Sequence, residues 1–318
     1  MQPRYIPALC ALTSLLIASS CRDDDPSSHS IFDTTSPERS EFDLWIKKNY
    51  TDTYNLEFNY LYNDKLTDNY YNVIPASIEK SKSVAILIKH IWMDAYTEIA
   101  GPTFLKNNSF REIQLIGSLE WDSESFTMGQ AEGGLKVFIF GVNNLDISNI
   151  YICQDDPYRD KGQMPLDLNY WYFHTMHHEY CHILTQRKNY TTDFQTISSG
   201  GYRASDWVNL SDQEAAKEGF ISGYGASEYN EDFAEIYANY VTFTDEGWQK
   251  FLDASIITTD DMGNEIAPDS SSYNILQQKV DIVKNYFQDS WGINLDTLRS
   301  IVTRRSVEAS ALDLVNLK

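Results

Sequence analysis

Cysteine is scarce in this sequence, with four among 318 residues: Cys10, Cys21, Cys153 and Cys181. The first two fall in or at the end of an apolar N-terminal stretch, so Cys153 and Cys181 alone remain for the folded part. That excludes a disulfide framework and leaves a single Cys153–Cys181 bridge open. Long apolar runs are missing as well. After the N-terminus no stretch reaches the ~18 residues that a membrane-spanning helix needs. Basic charge is short, with 25 Lys and Arg against 46 Asp and Glu, a net charge of −21. That argues against nucleic acid and anionic lipid surfaces as partners, and suits an enzyme acting on neutral or basic substrates. No internal repeat is evident.

What is present is ample for a large core. Hydrophobic residues make up 42% of the chain and aromatic residues 14%, the composition of a globular protein. Histidine is rare, six in all, yet four of the six fall between positions 174 and 182. Within His174-Thr-Met-His177-His178-Glu179-Tyr-Cys-His182 sits H-E-x-x-H. On an α-helix the spacing of His178 and His182 stacks both imidazoles on one face, where one metal ion can take both. Glu179 projects from the neighbouring position and could accept a proton from a water on that metal. Leu166, Tyr170, Phe173, His177 and Leu184 recur at helical intervals, with no Pro or Gly from Leu166 to Gln186, so the flanks read as helix too. His174 and His178 form a second i, i+4 pair, but only His178/His182 carries a Glu after its first member.

No histidine follows His182 and no Gly occurs in the next residues, which excludes a third histidine of metzincin type. A carboxylate is then the expected third ligand. Glu231 and Glu235 lie one turn apart on a second apolar-periodic segment (Phe233, Ile236, Tyr237, Tyr240) and share a face. One of them could bind metal while the other accepts the outer N–H of a ligand histidine.

These segments resemble known families. Asn230-Glu-Asp-Phe-Ala-Glu-Ile-Tyr237 is similar to the N-E-x-x-x-D segment of thermolysin-type gluzincins, and the longer run from Tyr224 to Glu235 is closer to lethal-factor-type peptidases. More of the chain resembles a family of zinc-binding metallopeptidases found as lipoproteins of Gram-negative bacteria. That likeness runs from Phe42-Asp-Leu-Trp-Ile through Gly133-Gly-Leu-Lys-Val, the H-E-x-x-H segment and Gly219-Phe-Ile-Ser-Gly-Tyr-Gly to Glu231-Asp-Phe-Ala-Glu. The resemblance implies an α+β, zincin-like fold: an N-terminal α/β part with a small sheet, the active-site helix, then a mainly helical C-terminal part. It implies one zinc per chain held by His178, His182 and Glu231, Glu179 as general base and Glu235 behind the ligand histidine. Tyr224 would support the oxyanion, between Gly223 and Gly225, which would let the backbone swing its ring inward. Glu235 stands where thermolysin-type enzymes carry Asp.

At the N-terminus, residues 1–20 read as a secretion signal with Arg4 ahead of an apolar core. Its end, Leu-Ile-Ala-Ser-Ser20-Cys21, resembles the lipobox of bacterial lipoproteins. A lipidated Cys21 would anchor the chain at the outer membrane and cell surface, with residues 21–38 (Arg22-Asp-Asp-Asp25 included) as a polar tether. One zincin-like domain is expected over 39–318, with its cleft near 135–240 and a helical part over 245–318. Tyr54–Tyr62, Ile113–Trp121 and Leu135–Phe140 read as strands and Ser77–Ala100 as a long helix. The Leu135–Phe140 strand is the candidate to pair with extended substrate. Ser211-Asp-Gln-Glu214 is a capping box. The function expected is a lipid-anchored, monomeric zinc peptidase acting on a protein or peptide. The alternative is a catalytically silent surface lipoprotein of the same fold that binds a host protein or polymer.

Overall fold

A capping box opens the folded chain. Ser40 accepts the backbone N–H of Asp43 at 3.1 Å while the Asp43 carboxylate takes the Ser40 N–H at 2.8 Å, so α1 (Glu41–Ile46) starts with its free donors satisfied. A computed structural model describes residues 38–63, 72–121, 126–127, 129–132, 136–260 and 262–318. Two units divide the chain, Met1–Arg39 and Ser40–Lys318. The elements named here all belong to the second. The expected signal, Cys21 and most of the tether lie outside the described residues.

Three strands run parallel, in the order β1 (Glu57–Asn59), β2 (Glu112–Leu115) and β6 (Lys136–Ile139), and β5 (Gly129–Glu132) closes the sheet antiparallel to β6. Ile113 and Leu115 with Val137 and Ile139 are buried on one face, and Gln114 with Phe138 on the other, so these strands are covered on both faces. The topology corrects one expectation. The Leu135–Phe140 stretch contains an interior strand, hydrogen-bonded to β2 on one side and β5 on the other, so its backbone is not free for substrate. Among the described residues the strand beside it at the sheet edge is β5. A short antiparallel pair, β3 (Glu120–Trp121) and β4 (Phe126–Thr127), stands apart from this sheet.

The long helix expected over Ser77–Ala100 is present in three pieces. Ser77 caps α2 (Ile78–Ile88), a π-helical turn (Lys89–Met93) follows, and α3 (Asp94–Ala100) ends at Gly101 with φ 86°. Its buried Trp92 stacks on Phe110 at 5.1 Å and meets the edge of Tyr180 at 5.1 Å. Tyr180 belongs to α5 (His174–Arg187), which follows another π-helical turn (Asn169–Phe173). The layer of aromatic rings therefore clamps the back of α5 against α2 and α3. Short helices α4 (Thr103–Asn108), α6 (Asp193–Ile197) and α7 (Asp212–Lys217) link the larger elements, α7 starting at the predicted Ser211–Glu214 capping box.

The front of α5 packs on α8 (Tyr229–Thr242), in which every residue from Asp232 to Thr242 is buried. Helices α9 (Asp245–Ala254), α10 (Ser271–Trp291) and α11 (Leu295–Glu308) gather around α8, with Tyr237 and Phe287 stacked at 4.2 Å. The C-terminal part is helical as expected, apart from a hairpin of β7 (Ile257–Thr259) and β8 (Glu265–Asp269). The β-branched run Ile257-Thr-Thr and the Asp260–Gly263 turn, with Gly263 at φ 82°, build it. The result is a mixed α/β fold with a small, mainly parallel sheet and many helices.

Candidate metal centre

The pairing of α5 with α8 brings the sequence-predicted residues to one point. His178 Nε2 lies 2.9 Å from Glu231 Oε2, His182 Nε2 lies 3.2 Å from the same oxygen, and the two imidazole nitrogens are 3.0 Å apart. No hydrogen-bond pattern suits that convergence well, since two ring nitrogens face each other across a gap that one carboxylate oxygen also enters. A small cation suits it. Zinc takes imidazole nitrogen and carboxylate oxygen at ~2.0–2.2 Å, so neighbouring donors around a tetrahedral ion stand about 3.3 Å apart. The three donor atoms are within a few tenths of an ångström of that spacing, and they form the group of His, Cys, Asp and Glu able to hold a metal among the described residues.

His178 also uses its other nitrogen. Nδ1 lies 2.8 Å from Glu235 Oε1, one turn after Glu231 on α8. A carboxylate there fixes Nδ1 as the protonated nitrogen and leaves the Nε2 lone pair for the metal side. Glu235 is 4% exposed, and burial by itself would raise its pKa. The nearby His174 and His178 outweigh that and hold it well below the usual range. Glu231 behaves alike: burial opposes its charge, and hydrogen bonds from His178 and His182 keep it ionised. For His178, burial would lower the pKa, but Glu231 and Glu235 lift it to about 10. Two carboxylates facing the imidazoles thus favour positive charge at this point.

Glu179 lines a cavity of about 490 Å³ beside this point, together with His174, Tyr170, Trp207, Val208 and Tyr224. Burial raises its pKa, against the opposing pull of His178 and His182, which suits a carboxylate that must both take and release a proton. The Tyr224 ring is 5.7 Å from the His178 ring and meets the edge of Trp207 at 5.0 Å. Burial, then the neighbouring Glu231 carboxylate, pushes its phenol pKa up, so the hydroxyl keeps its proton and remains a donor.

The glycines around Tyr224 act differently from the expectation. Neither Gly223 nor Gly225 has a positive φ, and Gly223 is α-helical at φ −56°. Gly223 is needed for close approach: a Cβ there would stand 2.3 Å from the Leu210 carbonyl oxygen. The turn bearing Tyr224 is thus pressed onto the turn bearing Trp207.

Several neighbours carried no sequence signal. Ser222 Oγ donates to Glu235 Oε2 at 2.6 Å and accepts the Gly225 N–H at 3.0 Å. Asp232, next to Glu231, is fully buried against Lys279 of α10 at 2.6 Å and accepts the Tyr202 hydroxyl at 2.9 Å. Trp207 and Val208 line the cavity from the short Asp206–Asn209 turn, within the region 135–240 expected to hold the cleft. His174, noted as a competing pair, points its Nε2 at Glu235 Oε1, 3.1 Å away, rather than at the ligand cluster. Cys153 and Cys181 are both free and buried, so the open question of a bridge is answered in the negative.

The comparisons with known proteins agree with this geometry. The profile of a family described as "Putative zinc-binding metallo-peptidase" matches residues 35–296. A crystal structure bearing the same description, from Bacteroides caccae, is 36% identical, with a TM-score of 0.69 over 91% of this chain and 100% of that one. No curated protein matches. Since the profile spans the sheet, both helices of the candidate centre and the turn that carries Tyr224, this chain belongs to that metallopeptidase family.

Proposed function

We propose that this protein is a zinc-dependent peptidase of gluzincin type with a zincin-like catalytic arrangement, one zinc per chain, tethered by lipid at the bacterial surface. The observation that carries the catalytic reading is the convergence of His178, His182 and Glu231 next to a cavity lined by Glu179 and Tyr224. Bound there, zinc supplies a Lewis acid that polarises a carbonyl and makes water a competent nucleophile near neutral pH.

The chain's own residues do the rest. Glu179 takes the proton of the attacking water, for which its raised pKa makes it a stronger base, and returns it to the leaving amine. The Tyr224 hydroxyl donates a hydrogen bond to the carbonyl oxygen as charge develops there, an interaction stronger in the transition state than in the bound substrate. Glu235 keeps His178 in one tautomer and one orientation. The cavity receives a substrate side chain against Tyr170, Trp207 and Val208.

The anchor rests on the Leu-Ile-Ala-Ser-Ser-Cys21 segment alone. No helix of the described residues is long and apolar enough to cross a membrane. The test of activity is cleavage profiling on a peptide library with and without a zinc chelator. Cleavage that stops with chelator and returns with zinc is the expected result. A purified, zinc-loaded protein that cuts no peptide would favour the binding protein of the same fold.

A further inference from the structure

We propose that Ser222 is a positioning residue that ties Tyr224 to the metal ligand His178 by way of Glu235; this rests on the zinc-peptidase reading above. Glu235 divides its two oxygens between two tasks. Oε1 faces the Nδ1 of His178 at 2.8 Å and the Nε2 of His174 at 3.1 Å. Oε2 accepts the Ser222 hydroxyl at 2.6 Å. Ser222 is 8% exposed, and its oxygen also accepts the Gly225 N–H at 3.0 Å. Tyr224 lies inside the turn that this bond closes.

The arrangement is mechanically short. A carboxylate on α8 holds the ring of one α5 histidine through one oxygen and the Tyr224 turn through the other. Gly225 lies close on this contact: a Cβ there would stand at van der Waals distance, 3.5 Å from the Glu235 Cβ and 3.4 Å from the Ser222 oxygen. On the opposite side, Gly223 N–H donates to Asp212 Oδ1 at 3.0 Å and the Gly223 backbone abuts Leu210. The turn that carries Tyr224 is thus held on both flanks, by Asp212 and Leu210 on one side and by Ser222 on the side of Glu235. Losing the Ser222 hydroxyl frees Oε2 of a buried carboxylate. Glu235 can then rotate towards His174, which loosens both His178 and the turn.

A side chain that merely filled its buried place would affect stability and leave the rest alone. The experiment therefore reads zinc affinity and catalysis separately. Zinc affinity of the metal-free protein is measured by competition with a chromophoric chelator, and kcat at saturating zinc, for Ser222→Ala, Ser222→Thr, Tyr224→Phe and the Ser222→Ala/Tyr224→Phe pair. Ser222→Ala is expected to weaken zinc about 10-fold and to lower kcat about 10-fold, the lower end of what outer partners of a ligand histidine contribute. Ser222→Thr, which keeps the hydroxyl, restores both. Because Ser222 acts on turnover through the Tyr224 hydroxyl, its effect on kcat disappears to within about twofold in the Tyr224→Phe background.

Unchanged zinc affinity in Ser222→Ala, or kcat losses that multiply in the double variant, would overturn the proposal. Wild-type kcat in Tyr224→Phe alone would instead overturn the role given to Tyr224 in the proposed mechanism. The zinc measurement still decides the link from Ser222 to His178 in that case.

Discussion

Glu231 and Asp232 are adjacent in the chain, both acidic, and opposite in use. Glu231 points forward to His178 and His182, whereas Asp232 turns back into the core against Lys279 and Tyr202. Burial raises the Asp232 pKa to about 6 in spite of Lys279 and Tyr202, and burial likewise lowers that of Lys279. Both shifts mark an ion pair whose desolvation its partners offset only in part, so leaving one charge buried alone should be expensive. Glu231→Ala is expected to leave the fold intact and weaken zinc well beyond the ~10–100-fold typical of an outer partner. Asp232→Asn should keep zinc and lower stability by about 3–5 kcal/mol. Elemental analysis and urea unfolding of both variants check this, and full zinc in Glu231→Ala would remove it from the ligand set. At this scale the two histidines and Glu179 were legible because an i, i+4 spacing is a local property of helix geometry. The choice of Glu231 over Glu235 came from resemblance. Ser222 and Lys279 had no signal, because each acts through a contact made only in the folded chain.

Helix α5 presents chemistry on one face and a sealed core on the other. Its His177 is fully buried, with Nδ1 2.9 Å from the Tyr96 hydroxyl and no partner for Nε2 among the described residues. Burial, then the charge of His174, pushes its pKa down to about 3. An unfolded chain protonates this histidine near 6.5. Above that pH neither state binds the proton, and stability is unaffected. As pH falls from about 6.5 towards 3, only the unfolded state gains it, so stability is lost at up to about 1.4 kcal/mol per pH unit. Metal-free wild type and His177→Gln, unfolded in urea at pH 7, 6 and 5, should therefore diverge as the pH drops, with the wild type losing more. Parallel curves would mean that His177 titrates normally. Sequence periodicity located this helix and α8, since large apolar residues recur at helical intervals in both. It missed the interior place of β6 because pairing partners are long-range, and it missed the β7–β8 hairpin because three- to five-residue strands barely outlast a turn.

For the molecule as a whole, a single folded unit from Ser40 to Lys318 carries the centre, and the chain's net charge of −21 bears on what reaches it. We propose that this charge favours basic and neutral peptides as substrates and disfavours nucleic acid as a partner. Attachment is predicted to depend on Cys21, so Cys21→Ser should move the protein from the membrane fraction to the soluble one; a protein that stays with the membrane would refute lipidation there. The central claim is that this centre activates water with Glu179. The measurement that meets it most directly is zinc content and chelator-sensitive turnover of Glu179→Gln beside the wild type. The account predicts full zinc with turnover reduced by about 10²- to 10⁴-fold, the usual contribution of a positioned general base. Turnover equal to the wild type at full zinc occupancy would contradict it.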